Sequence, residues 1–249
     1  MTIYPITQKS CLINETCNLE TNCELSINYS QLYKDLANFS KRAKDCGGVF
    51  WAHVQSMEYI NGTTLHPAAL ESYMRFEAFS ALAHGAQGII YWAYMQHENN
   101  DNETYHSALI DRHRNKFPAW YFARRVNAEI QKYRNIFVGS KLVVAAHVGE
   151  IYEGCRVITA TFGPLYNLKA SGKGFLVSQI QKTGHTYVIF VSHDVENYQT
   201  ISVSFTAGVK VMEMTPTTSH GKPLTEYLAT NVPHTRTLIP GGYIILDCK

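Results

Sequence analysis

The chain lacks any apolar run approaching the ~20 residues of a membrane span. No charged n-region, apolar h-region and cleavage pattern opens it, so its N-terminus gives no address. Charge of one sign is missing too: 22 basic and 20 acidic residues are mixed along 249 positions, for a net charge of +2. That leaves no basic stripe for nucleic acid and no basic amphipathic helix for a membrane surface. Six cysteines, Cys11, Cys17, Cys23, Cys46, Cys155 and Cys248, include no CxxC pair. The first three are an odd set for local disulfides, so ordinary thiols are expected rather than a metal site, and no cofactor is expected. Internal repeats and low-complexity segments are absent.

What is present suits a folded domain. Hydrophobic residues make up 45% of the chain, enough for one large core or two smaller ones. From Tyr29 to Ala43, Leu32, Leu36, Phe39 and Ala43 recur at helical spacing, and "CGG" at 46 to 48 ends the helix. "VFWAHVQSM" follows as a short buried strand. The next helix is entered near Pro67, read as its N1 residue, and sets Leu70, Tyr73, Met74, Phe76, Phe79, Leu82 and Ala83 down one face. Then comes "GIIYWAY", an apolar strand without a polar residue, and a further helix at about 117 to 136. Helix, strand, helix, strand, helix, with strands apolar on both faces, is the signature of parallel βα units.

After residue 138 the texture changes. "KLVVAAHV", "CRVITATF", "GFLVSQIQ", "HTYVIFVSH", "TISVSFTA", "VKVMEM" and "GYIILDC" are short β-branched or alternating runs between turn residues. They predict an antiparallel β-sandwich over 139–249 behind an α/β part over 1–138.

In parallel βα architectures, chemistry gathers at the carboxyl ends of the strands. Those ends lead here into "HVQSMEYINGTTLH" and "YWAYMQHENNDNETYH", the most polar loops of the first half. Their residues suit a polyhydroxylated ligand. Trp51, Trp92 and Tyr94 offer stacking faces for a sugar ring, and His53, Gln55, Gln96 and His106 offer hydrogen bonds to hydroxyls. Glu58, Glu98 and Glu103 are the candidate carboxylates, since glycoside cleavage commonly needs two carboxyl groups, about 5–5.5 Å apart for retention. Each has a plainer reading. Trp51 reads first as strand core, Glu98, Asp101 and Glu103 as solvated loop, and Glu71 with Arg75 as an i,i+4 surface pair. His66 suits helix entry, and His84 a satisfied buried histidine.

"SYMRFEAFSALAHGAQGIIYWAYMQ", followed by "ETYHSALIDRHRN", a helix and a β-domain, resembles the end of the (β/α)8 barrel in family 42 glycoside hydrolases of the β-galactosidase type. The likeness is closer still to relatives from Bacteroides-like gut bacteria. His84, Gly85, Ala86, Trp92, Glu103, Tyr105 and His106 stand where that family has its helix end, aromatic strand eight and following loop. The resemblance implies a partial TIM barrel of late βα units plus a β-sandwich. It implies a carbohydrate such as an oligosaccharide or galactoside as substrate, and a periplasmic or extracellular parent. The family's nucleophilic Glu would fall near Gln55, with Glu58 a few residues later as the catalytic candidate. Its acid/base Glu lies on a fourth strand, whereas this chain resembles the family only from about strand six, where "YPI" is read as the end of that strand. A complete barrel takes about 250 residues. The expectation is therefore a C-terminal piece, weakly active or inactive alone, partnered by the missing barrel segment or by a second copy. The rival expectation is a carbohydrate-binding or structural protein that acts through its β-sandwich.

Overall fold

The computed structural model describes residues 6–8, 25–62, 64–214, 222–223 and 233–249. Cys11, Cys17, Cys23 and most of "YPI" lie outside them. Strands β1 (Ile6–Gln8) and β2 (Leu25–Ile27) precede helix α1 (Tyr29–Asp45). Asn28 caps that helix by accepting the Gln31 N–H at 3.0 Å. The helix ends through Cys46 into Gly47, whose φ of +65° lies in the left-handed region where a Cβ is penalised.

Next come β3 (Trp51–Gln55), β4 (Glu58–Asn61), β5 (Thr64–His66), α2 (Glu71–Ala83), β6 (Gly88–Trp92), β7 (Glu103–Ser107) and α3 (Pro118–Phe137). β3 and β6 run parallel in register, Trp51 opposite Gly88 and Gln55 opposite Trp92. Pro118 opens α3, where its missing N–H costs nothing. Pro67 does not play that part: α2 starts at Glu71 behind Leu70. The loops after β3 and β6 also hold more order than their composition suggests. β4 and β5 form a hairpin, β7 joins β4, and β1 joins β5, giving a five-stranded sheet in the order β2-β1-β5-β4-β7.

The rest is β8 (Lys141–Gly149), β9 (Thr161–Phe162), β10 (Leu165–Ala170), β11 (Gly174–Lys182), β12 (His185–Ser192), β13 (Gln199–Phe205), β14 (Val211–Met214), β15 (Lys222–Pro223), β16 (His234–Leu238) and β17 (Tyr243–Cys248). They form two antiparallel sheets, β15-β14-β17-β12-β11-β8 and β16-β13-β10-β9. "CRVITATF" yields only β9 and a bridge from Val157 to His147. β10 and β16 escaped the sequence pattern because their outward positions carry Asn, Lys, Thr and Arg, and β10 is broken by an irregular register between Tyr166 and Lys169.

Alternation along the central strands explains the layering. Phe175, Val177, Val188, Phe190, Ile244 and Leu246 face the four-stranded sheet. Leu176, Ile180, Ile189, Val191 and Ile245 face the other way, onto Phe76, Phe79 and Ala83 of α2. With both faces covered, these strands read as continuous apolar runs. α2 is likewise buried on two sides: Phe76 and Phe79 meet the six-stranded sheet, and Met74 and Ala78 meet Val54 of β3. The expectation of a single apolar face fails because this helix lies between layers, where apolar residues all round are required.

Gly149 and Gly174 pair across β8 and β11 at φ +104° and +85°, and a Cβ on Gly174 would overlap the Val148 carbonyl. Gly174→Ala should cost roughly 2–4 kcal/mol, combining a strained dihedral with overpacking. Gly47→Ala, where the added carbon meets open space, should cost only the dihedral strain. Urea unfolding of the two variants checks this, and equal losses would refute it.

Candidate functional site

The carboxyl ends of β3 and β6 are tied together. The Ser56 N–H donates to the Trp92 carbonyl at 2.9 Å, and Ser56 Oγ donates to the Ala93 carbonyl at 3.2 Å. The peptide bond between Trp92 and Ala93 is cis. Beside them Gln55 is buried, its Nε2 donating to the Pro67 carbonyl at 3.3 Å and its backbone N–H to Glu77 Oε2 at 2.7 Å. Glu77 reaches that strand from within α2. Burial pushes its carboxyl up to about 8, against the Gln55 N–H that favours the anion, so it is largely protonated at neutral pH.

Above these strand ends the five-stranded sheet contributes an aromatic and histidine cluster. Tyr59 stacks on His66 with centroids 4.2 Å apart and meets Trp92 edge-on at 5.4 Å. His97 lies 5.3 Å from Trp92 and 5.2 Å from Tyr105. Tyr105 donates its hydroxyl hydrogen to the Glu103 carboxylate, which also accepts from Asn100 at 3.3 Å and Asn61 at 3.4 Å. The Tyr105 hydroxyl, then Asn100, hold Glu103 below the usual carboxylate range. Burial, then the hydrogen bond to Glu103 and its charge, raise Tyr105 to about 12, and burial with the Glu103 charge pushes Tyr59 up as well. Burial lowers His66. The arrangement is an ionised carboxylate at the rim of a neutral aromatic wall, and Glu103 and Asn61 also line an open groove of about 390 Å³.

The sequence candidates distribute unevenly over this frame. Ala52 and Val54 pack toward the helices, so Trp51, His53 and Gln55 point to the opposite face of the parallel pair, with Gly88, Ile90 and Trp92. Trp51 is 61% exposed among the described residues, and its indole lies where a Cβ on Gly88 would fall. Burial lowers half-buried His53. Ile90 is 39% exposed on that same face. Trp92 and Glu103 belong to the cluster, joined through Tyr59 and Tyr105. Tyr94 and His106 are exposed.

Glu58 begins β4 opposite Ser107, half-buried, and its carboxylate makes no hydrogen bond or ion pair with the described residues. Asn61 pairs with Glu103, so the backbones of Glu58 and Glu103 stand about 10 Å apart along the ladder. Glu98 is paired with Arg112 on the surface. Glu77, Tyr59 and His97 were not singled out from the sequence. A lone carboxylate in an otherwise apolar helical run was the available signal for Glu77; the other two needed the cap sheet. Among the described residues no cluster of His, Cys, Asp or Glu could hold a metal ion.

Residues 19–133 match the family model Glyco_hydro_42, described as Beta-galactosidase, so the resemblance read from the Ala-His-Gly-Ala helix end and the Trp92 strand holds over that segment. No curated protein matches the chain. Similar solved structures include an alpha-amylase from Geobacillus thermoleovorans complexed with acarbose, at 11% identity and a TM-score of 0.43, covering 87% of this chain and 42% of that one. A family 30 subfamily 8 xylanase from Clostridium acetobutylicum has 10% identity and a TM-score of 0.33, over 83% and 44%. A GH30 endoxylanase from Clostridium papyrosolvens has 14% identity and a TM-score of 0.30, over 86% and 45%. The chain spans less than half the length of these structures.

Proposed function

We propose that this chain is part of a glycoside hydrolase acting on β-linked galactosides or similar sugars. In this reading β3, α2, β6 and α3 are late units of a (β/α)8 barrel, and the two antiparallel sheets are a sandwich appended to it. The observation that carries the reading is the junction of two in-register parallel strand ends, Gln55 beside Trp92, beneath a cap of aromatics, histidines and a carboxylate. The family match over residues 19–133 supports it. Sugar rings bind by stacking an apolar face on an aromatic ring while hydroxyls find fixed donors and acceptors. Trp92 with Tyr94 would supply the first, and Gln96, His97 and Glu103 the second. No helix of the described residues is long and apolar enough to cross a membrane.

Hydrolysis needs more than binding. Gln55 stands where the family resemblance places the nucleophile, and an amide cannot attack an anomeric carbon. Glu58 is the nearest carboxylate along the chain. The expected result is saturable quenching of tryptophan fluorescence by an aryl β-galactoside, weakened tenfold or more in Trp92→Ala, with little or no turnover. Absence of binding would sink the sugar-site reading. Robust turnover would overturn the expectation of weak activity, and its survival in Glu58→Gln would remove Glu58 from the chemistry.

A further inference from the structure

Where α1 meets the six-stranded sheet, the side chains form a second buried polar cluster remote from the strand ends described above. Tyr29 of α1 donates to the His193 carbonyl at the end of β12 and stacks on Tyr152 at 4.7 Å. Tyr33, one turn later, lies 4.4 Å from His147 of β8, 5.6 Å from His193 and 5.8 Å from His84 at the end of α2. His84, His147 and His193 are all nearly fully buried.

The hydrogen bonds dictate the protons. His193 Nδ1 lies 3.1 Å from the Lys173 carbonyl, which can only accept, and 3.2 Å from the Tyr152 hydroxyl, whose hydrogen goes to Glu150, so Nδ1 carries hydrogen and Nε2 of the neutral ring is bare. That bare nitrogen lies 3.2 Å from His147 Nδ1, which therefore donates. His84 Nδ1 donates to the Ser80 carbonyl at 2.8 Å. A proton on both His147 and His193 would set two N–H groups against each other across that gap. No carboxylate touches the imidazoles directly: the Tyr152 hydroxyl lies 3.2 Å from His193 Nδ1 and donates to Glu150 at 3.3 Å, so Glu150 reaches the pair only through that hydroxyl, and Asp194 is taken by the backbone N–H groups of Glu196 and Asn197 and by the Gln199 amide. The other groups bearing on the cluster are Cys155 and Glu196, which act on the tyrosines, and Lys34, which acts on Cys155.

We propose that the His147–His193 pair, with His84 across Tyr33, is an acid-released latch that holds α1 on the six-stranded sheet and lets it go on protonation. The core between the two antiparallel sheets contains none of these residues and stays closed when the latch opens. Burial depresses all three imidazoles, His84 to about 4, His193 to about 3 and His147 to about 2, with the neighbouring histidines adding to the last. Once α1 detaches they return toward about 6.5. Because the closed-state values are the lower ones, the latch is at full strength above about pH 6.5 and weakens as pH falls. Its opening equilibrium rises by up to about tenfold per pH unit for each histidine that titrates.

Hydrogen exchange on the full chain between pH 7.5 and 4.5, corrected for intrinsic rates, reads this directly. Residues 29–45 should lose at least tenfold protection while residues 174–192 keep theirs. His147→Gln, which can still donate but cannot charge, should move the α1 transition to lower pH. Unchanged α1 protection, simultaneous loss in α1 and the sheet, or an unmoved transition in His147→Gln would each overturn the latch. The wild-type comparison stands alone if the variant fails to fold.

Discussion

Phe79→Ala is expected to destabilise the protein by about 3–5 kcal/mol, the range for removing a fully buried aromatic ring without collapse of the space it leaves. Phe79 is 0% exposed and sits where three layers meet. Its ring stacks on Tyr243 of β17 with centroids 3.5 Å apart, and it meets Phe137 of α3 edge-on at 6.1 Å. The six-stranded sheet cannot close that gap because its other face is held by the four-stranded sheet. Tyr243 would lose its stacking partner as well. Urea unfolding followed by circular dichroism should show the loss, with a fall in Tm of roughly 2–4 °C per kcal/mol for a chain of this size. Val143→Ala, on a 49% exposed side chain, should stay within about 0.5 kcal/mol. A loss below about 1 kcal/mol in Phe79→Ala would mean that the helices and the sheet are not joined through this ring.

The same joint bears on the rival reading, in which the β-sheets act alone. Cut free of the helices, they would expose Leu176, Ile180, Ile189, Val191 and Ile245, an apolar face that in the whole chain is buried by α2 and its neighbours.

Arg75→Ala carries the second large effect. Arg75 is 6% exposed, donating from Nε to Glu129 at 2.9 Å, from its second guanidinium nitrogen to Glu129 at 2.8 Å, and to Glu71. Glu71 in turn pairs with Arg125 at 2.6 Å. Removing the central cation leaves two carboxylates confronting each other between α2 and α3. A loss of about 2–4 kcal/mol is expected, below the full cost for a dry pair because both carboxylates keep some solvent contact. Arg75→Met with Glu129→Met should recover most of it, since a matched apolar pair leaves no buried charge unmet. A double variant no better than the single would contradict this account.

Much of the local structure was legible in the sequence because local physics decides it. The helical spacing from Leu32 to Ala43, the Gly47 stop, Pro118 at the start of α3 and the short β-branched runs "GFLVSQIQ" and "HTYVIFVSH" depend on neighbours a few residues away. The family segment was legible for a related reason: the Ala-His-Gly-Ala turn and the Trp92 strand are contiguous motifs. Misreadings came where distance along the chain hides contact. Glu71 and Arg75 resemble a surface i,i+4 pair until Glu129 arrives from 54 residues away and α3 covers them. The candidate site divides the same way: Trp92, Glu103 and Gln55 were named from their place at strand ends, whereas Tyr59, His97 and Glu77 acquire meaning only through the cap sheet and the crossover helix.

By itself, then, the sequence determined the three helices, the parallel strands β3 and β6 between them and most strands of the two later antiparallel sheets, since periodicity and punctuation act within one or two turns of chain. Tertiary structure alone decided that polar loops pair into a cap, that α2 is buried on both sides, and that three histidines far apart in sequence share one dry space. Cross-strand registry, two-sided burial and the loss of solvation are properties of surfaces brought together, and no short stretch of chain contains both surfaces.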